Sequence, residues 1–380
     1  MIEEKIESVK TELKLYIVNS VSEMEALHDS WNKLVNQNPS STPFQLWEWN
    51  YGLVKFEGDR VKLQIVVAEN SDDEIVGIAP FWVRSGLAPF LNILEFIGTG
   101  RSDYLDLIFL EHYEEIFIRL IVNWIEQNKN WRIIDLKSLR QKTADLFSNF
   151  DSFKINQYDV CPYALLPETL QEYEMKVMQK RLRKGVRHRR KLLDEEKKQL
   201  TFSMTENDHE LHNHIDILYN LHQKRQQGRG EKGRFIDKQW REIFRDTSIN
   251  LFRSGHLKIG VLNIDGNPVA CNYSLLLRDR EYVYMSGIDI SMAWYSPGSL
   301  LEYWMIEEAI KNGKNAYDFL RGNDSYKSKW TNEVCQLYQV VRGRTKVEII
   351  LWLKWETFRN SVYRSVWIKK IYNTTIGRFK

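Results

Sequence analysis

Two stretches of this 380-residue chain combine residue types that handle anions and protons. The first is Tyr295-Ser296-Pro297-Gly298-Ser299, followed by the apolar run Leu300 to Ile310. Proline is pre-set for a first helical turn, serine is a capping residue, and glycine lets a ligand approach the backbone. A helix start of this kind offers free N–H groups and a positive dipole end, so Ser296, Gly298 and Ser299 are candidates to hold a phosphate. An ordinary capped helix carries the same residues. The second stretch runs from Tyr317-Asp318-Phe319-Leu320-Arg321 to Tyr326-Lys327-Ser328-Lys329-Trp330. It reads as a strand ending near Asp318 and a loop bearing Arg321, Tyr326, Lys327 and Trp330, at the kind of place where α/β folds form sites. The alternative is a local Asp318–Arg321 pair that braces the loop.

Other candidates carry less. His209-Glu210-Leu211-His212-Asn213-His214 is one residue short of the HExxH zinc pattern, so its histidines do not fall at i and i+4 on one helix face. Gly98-Thr99-Gly100 lacks the third glycine and crossover helix of a dinucleotide site. Cys161, Cys271 and Cys335 are far apart, which encodes neither a disulfide scaffold nor a metal ribbon and points to a reducing cytosol. No metal is expected.

The elements that must position these residues follow from hydrophobic period. The first half reads as a strand at Leu15 to Val18, helices at Ser22 to Asn36 and Phe44 to Phe56, and a hairpin of Val61 to Ala68 with Ile75 to Val83. Strands at Leu91 to Ile97 and Tyr104 to Leu110, a helix at Tyr113 to Gln127 and a strand at Trp131 to Leu136 follow. The second half repeats that order: a hairpin of Lys258 to Ile264 and Val269 to Leu277, a strand at Tyr282 to Gly287, a helix at Gly298 to Asn312 and a strand at Ala316 to Phe319. The repeat predicts an α/β (α+β) protein with a duplicated domain. We place a first domain at 1–165, a helical insert of the second domain at 166–255, a second core at 256–345 and a basic aromatic helix at 346–380. The insert reads as one helix from Leu170 to Lys198, a second from Glu210 to Gln227, a mobile Gly-rich loop from Gly228 to Arg234 and a third helix from Lys238 to Arg253.

Charge is uneven. Lys180 to Lys191 holds eight Lys or Arg and no carboxylate, and residues 346–380 carry +6. The total is +3, so the remaining 333 residues carry −11. That argues against a protein coated in nucleic-acid-binding surface. With a period of 3.6 the eight charges spread around their helix, whereas a phosphate-tracking surface would cluster them. In the tail, Trp352, Trp355, Phe358, Val362 and Val366 recur at helical spacing beside Lys354, Arg359 and Arg364. This pattern suits either an interfacial helix on anionic lipid or a helix covering the acidic body. The N-terminus lacks a signal-peptide core and no stretch approaches a span of ~20 apolar residues. A cytoplasmic protein is expected, at most peripheral at the inner face of a membrane.

In order along the chain, Leu221-His222-x-x-Arg225, Ser296-Pro297-Gly298 before a helix, and Tyr317 to Trp330 resemble the FemAB-like acyltransferases of the GNAT superfamily. Within these the chain is most similar to cellulose-biosynthesis-type acetyltransferases, and Phe96 to Phe109 resembles that branch's segment before its first helix. The resemblance runs from about Phe44 to about Val341. It implies tandem GNAT-like domains, each a mixed sheet flanked by helices. It also implies acyl transfer from acyl-coenzyme A, acetyl-coenzyme A first, to an amine or hydroxyl of a polysaccharide, sugar-nucleotide or cell-envelope precursor. On this resemblance the helix start at Ser296 to Ser299 takes the pyrophosphate, His222 is the base, and Arg225 holds an anionic part of a substrate. Asp318, Arg321, Tyr326, Lys327 and Trp330 line the acceptor pocket, Asp318 and Tyr326 taking part in catalysis, and Asp103 and Asp106 face it from the first copy. The usual GNAT pyrophosphate signature, Q/R-x-x-G-x-G/A, is matched in letters by Arg225 to Gly230, but after a helix and not between strand and helix, which suits a lid or clamp. Some FemAB-type enzymes take their acyl group from aminoacyl-tRNA, so a tRNA-dependent ligase and a non-catalytic envelope scaffold are the alternatives. A monomer or a homodimer is compatible with the sequence.

Overall fold

The computed structural model describes residues 13–85, 92–228, 230 and 233–364. The first half comprises β1 (Lys14–Val18), α1 (Val21–Ala26), α2 (His28–Gln37), α3 (Trp47–Glu57), β2 (Val61–Leu63), β3 (Ile65–Glu69), β4 (Ile75–Ala79) and β5 (Phe81–Ser85). It continues with β6 (Asn92–Phe96), β7 (Ile108–Phe109), α4 (Glu114–Gln127), β8 (Ile133–Arg140), α5 (Gln141–Ser148) and β9 (Lys154–Leu165). The insert holds α6 (Leu170–Lys176), α7 (Lys180–Glu195), β10 (Leu200–Met204), α8 (Asp208–Gly228) and α9 (Lys238–Arg253). The second half closes with β11 (Leu257–Ile264), β12 (Asn267–Leu277), β13 (Arg280–Ile288), α10 (Pro297–Lys311), β14 (Ala316–Asp318), β15 (Glu333–Gly343) and α11 (Lys346–Arg364).

Local chemistry explains most boundaries. Ser20 and Glu23 form a reciprocal capping box at α1. In the β3–β4 turn, the Asn70 side chain accepts from the N–H groups of Asp72 and Glu74. Asp265 and Gly266 take φ of 51° and 76°, the left-handed pair a tight β11–β12 hairpin needs.

Several predicted elements divide where tertiary contacts intervene. Val61 to Ala68 is two strands and Ile75 to Val83 is two strands, because Gln64 and Pro80 sit where the chain passes from one sheet to the other. The Gln64 N–H goes to Phe81 O, and Pro80, without an N–H, accepts from Ile97. Ser22 to Asn36 breaks at Leu27 into α1 and α2. Of Tyr104 to Leu110 only Ile108 and Phe109 pair as a strand. Leu170 to Lys198 is two helices and not one: Gln179 is extended, and its N–H donates to Lys329 O. The Gly-rich loop from Gly228 to Arg234 lies partly outside the described residues, as do residues 365–380 of the tail.

The strands form a four-stranded sheet, β1-β3-β4-β7, and an eleven-stranded mixed sheet, β10-β11-β12-β13-β14-β9-β15-β8-β6-β5-β2. The antiparallel run β1-β3-β4, with α1, α2 and α3 between β1 and β3, mirrors β10-β11-β12, with α8 and α9 between β10 and β11. In each half a helix then leads to a parallel pairing, β6 with β8 and β13 with β14. Two strands join the halves. β9 pairs with β14 on one side and β15 on the other, and β15 returns to pair with β8. One apolar core crosses the junction, with Trp31, Trp49 and Leu53 of the first half sharing it with Leu218, Phe244 and Tyr273 of the second. The guanidinium of Arg278, whose backbone takes φ 52°, donates to the carbonyls of Val35, Asn38 and Ser41, which caps the end of α2 from across the junction.

Candidate functional site

The site arises from a parting of strands. β13 and β14 pair in parallel only at Arg280–Ala316, Glu281–Tyr317 and Tyr282–Asp318. β13 then runs on to Ile288, while β14 ends at Asp318. At the parting β13 bulges: Tyr273 faces Met285 and Ser274 faces Val283, so Tyr284 is the extra residue. A bulge leaves its N–H groups out of the regular ladder and turns side chains aside. The resulting cleft, about 450 Å³, is walled by β13, α8, the start of α10 and the loop after β14.

α8 reaches this wall because Gly287 lets it. A Cβ there would lie 2.7 Å from Leu221 Cβ and 2.8 Å from His222 N. His222 is 5% exposed, lies edge-on to Phe235, and has its Nε2 3.3 Å from the Gln226 amide nitrogen. Arg225, one turn on, donates to Ser286 O at 3.4 Å. Arg234, after the Gly-rich segment, reaches Tyr284 Oη at 3.5 Å.

The opposite end is set by Leu320, a residue with φ of 57° in the loop after β14. Lys327 is 4% exposed and holds that loop by donating its Nζ to Leu320 O at 2.9 Å and Arg321 O at 2.7 Å. Burial pushes the Lys327 pKa down. Arg321 pairs with Asp103 at 3.3 Å and Asp159 at 3.9 Å, which brings a first-half carboxylate to the cleft. The alternative of a local Asp318–Arg321 pair is not what forms; Asp318 pairs with Arg280 at 3.4 Å.

The structure gathers Asp103, His222, Arg225, Gly298, Ser299, Arg321, Tyr326, Lys327 and Trp330 around one cleft. Three other candidates lie elsewhere. Asp318 is fully buried beneath the loop, accepting from Tyr104 Oη and Leu320 N–H, both at 2.8 Å. Burial pushes its pKa up to about 6 against the pull of Arg280 and these donors. Asp106 is buried with Arg140 at 3.3 Å, and burial raises its pKa too. Ser296 takes left-handed φ and ψ of 52° and makes no side-chain cap, so its predicted capping role is replaced by backbone: Ser296 O accepts from both Ser299 and Leu300 N–H. With Pro297 lacking an N–H, Gly298 is the backbone donor left in this first turn. Gly298 also answers to packing, since a Cβ would meet Ile288 Cδ1 at 2.7 Å.

Sequence reasoning missed Glu302, on the cleft wall in the second turn of α10. Asn272 donates to its Oε2 at 3.1 Å. Burial pushes the Glu302 pKa up to about 7, against the hydrogen bond from Asn272. The available signal was a glutamate inside the run Leu300-Leu301-Glu302-Tyr303-Trp304-Met305-Ile306, on the buried side of a helix. Because the folded pKa lies above the ordinary 4.5, the stability tied to the neutral carboxyl is full below about 4.5 and is lost as pH rises through about 7. Glu302→Gln is expected to remove a pH-dependent loss on the order of 3 kcal/mol, read as the difference between urea unfolding curves at about pH 5 and about pH 8. An unchanged difference would place that titration elsewhere.

The basic run of α7 stays off this wall, none of its residues being among those lining the cleft. Arg187 pairs with Glu174 at 2.6 Å, Arg189 lies over the Trp294 ring, and Arg190 over Tyr303. Among the described residues no group of His, Cys, Asp and Glu could hold a metal ion. Likewise no described helix is long and apolar enough to cross a membrane.

Residues 180–328 match the family model of the acetyltransferase (GNAT) domain. No curated protein matches the chain. Among solved structures, FemX superposes with a TM-score of 0.62 at 10% identity over 86% of this chain and 96% of that one. The C-terminal domain of a putative lysylphosphatidylglycerol synthetase from Agrobacterium fabrum gives 0.57 at 13% identity over 88% and 96%. L-PGS from Bacillus licheniformis gives 0.55 at 12% identity over 86% and 95%. At these identities the likeness is one of fold. The match to a GNAT-type acetyltransferase domain thus runs from α7 to the loop after β14, and the fold of the chain is shared with FemX, the synthetase domain and L-PGS.

Proposed function

We propose that the protein transfers an acyl group from acyl-coenzyme A to an amine or hydroxyl of a glycan or cell-envelope precursor. The observation that carries this reading is the parting of β13 and β14 at a bulge, beside a helix start and opposite charged groups from both halves. The pyrophosphate of the donor would sit at the α10 end of the cleft, whose lining includes Gly298, Ser299 and Arg225. A backbone N–H freed by the bulge can polarise the thioester carbonyl and stabilise the oxyanion as it forms. His222, on the cleft wall, would accept the proton from the attacking nitrogen or oxygen. The charges of Asp103, Arg321 and Lys327, partly committed to one another and to the loop, make the acceptor end rigid and polar. Tyr326, 46% exposed, stands at its rim.

Acetyl-coenzyme A is expected to raise the melting temperature, since a ligand at about 100 times its Kd adds about 2.7 kcal/mol to the folded state. Arg225→Ala should weaken that stabilisation at least about tenfold in Kd by removing a charge-assisted contact. Absence of any shift across a panel of acyl-coenzyme A compounds would overturn the donor assignment.

A further inference from the structure

α11 meets the protein through charged groups beside the half-buried Ile349, Trp352 and Leu353, and turns an apolar stripe away from it. Inward, Glu348 accepts from Arg132, Glu356 pairs with Lys137 at 2.6 Å, and Trp352 Nε1 donates to Asp135 at 2.9 Å. Glu356 is buried, and Lys137 with it; burial opposes the lysine charge, but Asp135 and Glu356 outweigh it and raise its pKa. Outward, Val347, Ile350, Leu351, Trp355 and Phe358 are exposed, four of them by more than half. At 100° per residue these five share one arc of the helix, and the exposed Lys354 lies within it. Both carboxylates of the described helix are thus spent on the protein, and the charge left on its open side is positive. A helix docked merely to cover an acidic body would face the other way, with its apolar side inward.

We propose that this outward face of α11 is a docking surface for an anionic lipid bilayer. Charge decides the occupant. The five apolar side chains would sink to the headgroup boundary, and Lys346 and Lys354 would meet lipid phosphates. The last 35 residues carry +6, which adds attraction of the same sign. The buried ion pairs on the inner side anchor the helix without its apolar stripe, so that stripe stays available. The inner side of the helix is linked to the acceptor end of the cleft: Glu356 touches Lys137, whose Nζ lies 6.0 Å from the Tyr158 ring, and Tyr158 Oη accepts from Arg321 at 3.2 Å.

The test is co-flotation of the full chain with vesicles, which needs no catalytic turnover. Vesicles of equal parts phosphatidylglycerol and phosphatidylcholine should carry the protein, pure phosphatidylcholine vesicles should not, and added salt should weaken the binding. Leu351→Ser with Phe358→Ser should cut partitioning by at least about 100-fold, since two large apolar side chains no longer leave water on docking. Lys354→Glu should cut it by about 30-fold through a change of two charges near the surface. All three side chains are exposed, so melting temperatures should stay within a degree or so of the parent, which separates lost docking from lost folding. Flotation unaffected by these changes, or binding to neither vesicle, overturns the proposal. So does a solution dimer that dissociates in the Ser variant, since the face would then be covered by a second copy.

Discussion

His222→Gln is expected to lower turnover by roughly 10²–10⁴-fold, the range a positioned general base supplies. An attacking amine must lose a proton as the tetrahedral intermediate forms, and an amide cannot take it. Glutamine has a similar reach, can still meet Gln226, and leaves little void against Phe235, so the fold should hold. Release of free thiol from acetyl-coenzyme A, followed against pH with a panel of amine and hydroxyl acceptors, reads the loss. The variant should lose turnover while keeping its affinity for the donor. Turnover equal to wild type would move the base to another group, and Glu302 on the same wall would be the next to replace.

The second large effect belongs to a residue with no side chain. Gly287→Ala would set a methyl 2.7 Å from Leu221 Cβ, 2.8 Å from His222 N and 3.0 Å from Leu221 C. Two of these three neighbours are backbone in the middle of a 21-residue helix, so no rotamer can make room. α8 must move off β13 or the strand must bend. The expected cost is about 1–3 kcal/mol of stability, as for other overpacked cores. Turnover should fall further, on the order of 10²-fold, because the helix that shifts carries both His222 and Arg225. Urea unfolding and thiol release on the same preparation measure the two. A variant that keeps both values would show that α8 already stands clear of the strand.

Both effects depend on a helix and a strand whose existence was readable from the sequence and whose contact was not. Glu210 to Gln227 was readable from apolar residues at helical spacing, and Leu211, Ile215, Leu218 and Leu221 are indeed buried. Tyr282 to Gly287 was readable as an apolar strand. A glycine at 287 carries no instruction about which backbone approaches it. The same holds for Lys327, which on its loop reads as a substrate contact; only the folded loop shows its Nζ spent on two carbonyls. Asp318 reads as a site carboxylate and is fully buried, because Tyr104 comes from 214 positions away to cover it.

The joining of the two halves was the least legible feature. β9 is half-buried along most of its length and lacks clean alternation, since one sheet neighbour is β14 and the other β15. β15 pairs Gly343 with Ile133, more than 200 residues apart. No local pattern encodes such a pairing, because the hydrogen bonds that satisfy these strands come from partners supplied by the fold. In α11 the amphipathic spacing left both a lipid-facing and a body-facing helix open; which face looks outward rests on Asp135, Arg132 and Lys137, all on or beside β8.

What the sequence by itself determined was the repeated order of elements, the turns set by left-handed and capping residues, and the short list of polar groups worth testing. These follow from side-chain period and backbone sterics within a few residues. Tertiary structure decided which of those groups share a cleft, which are buried as braces, and where two parallel strands part to open it. Those outcomes depend on contacts between segments that only packing brings together.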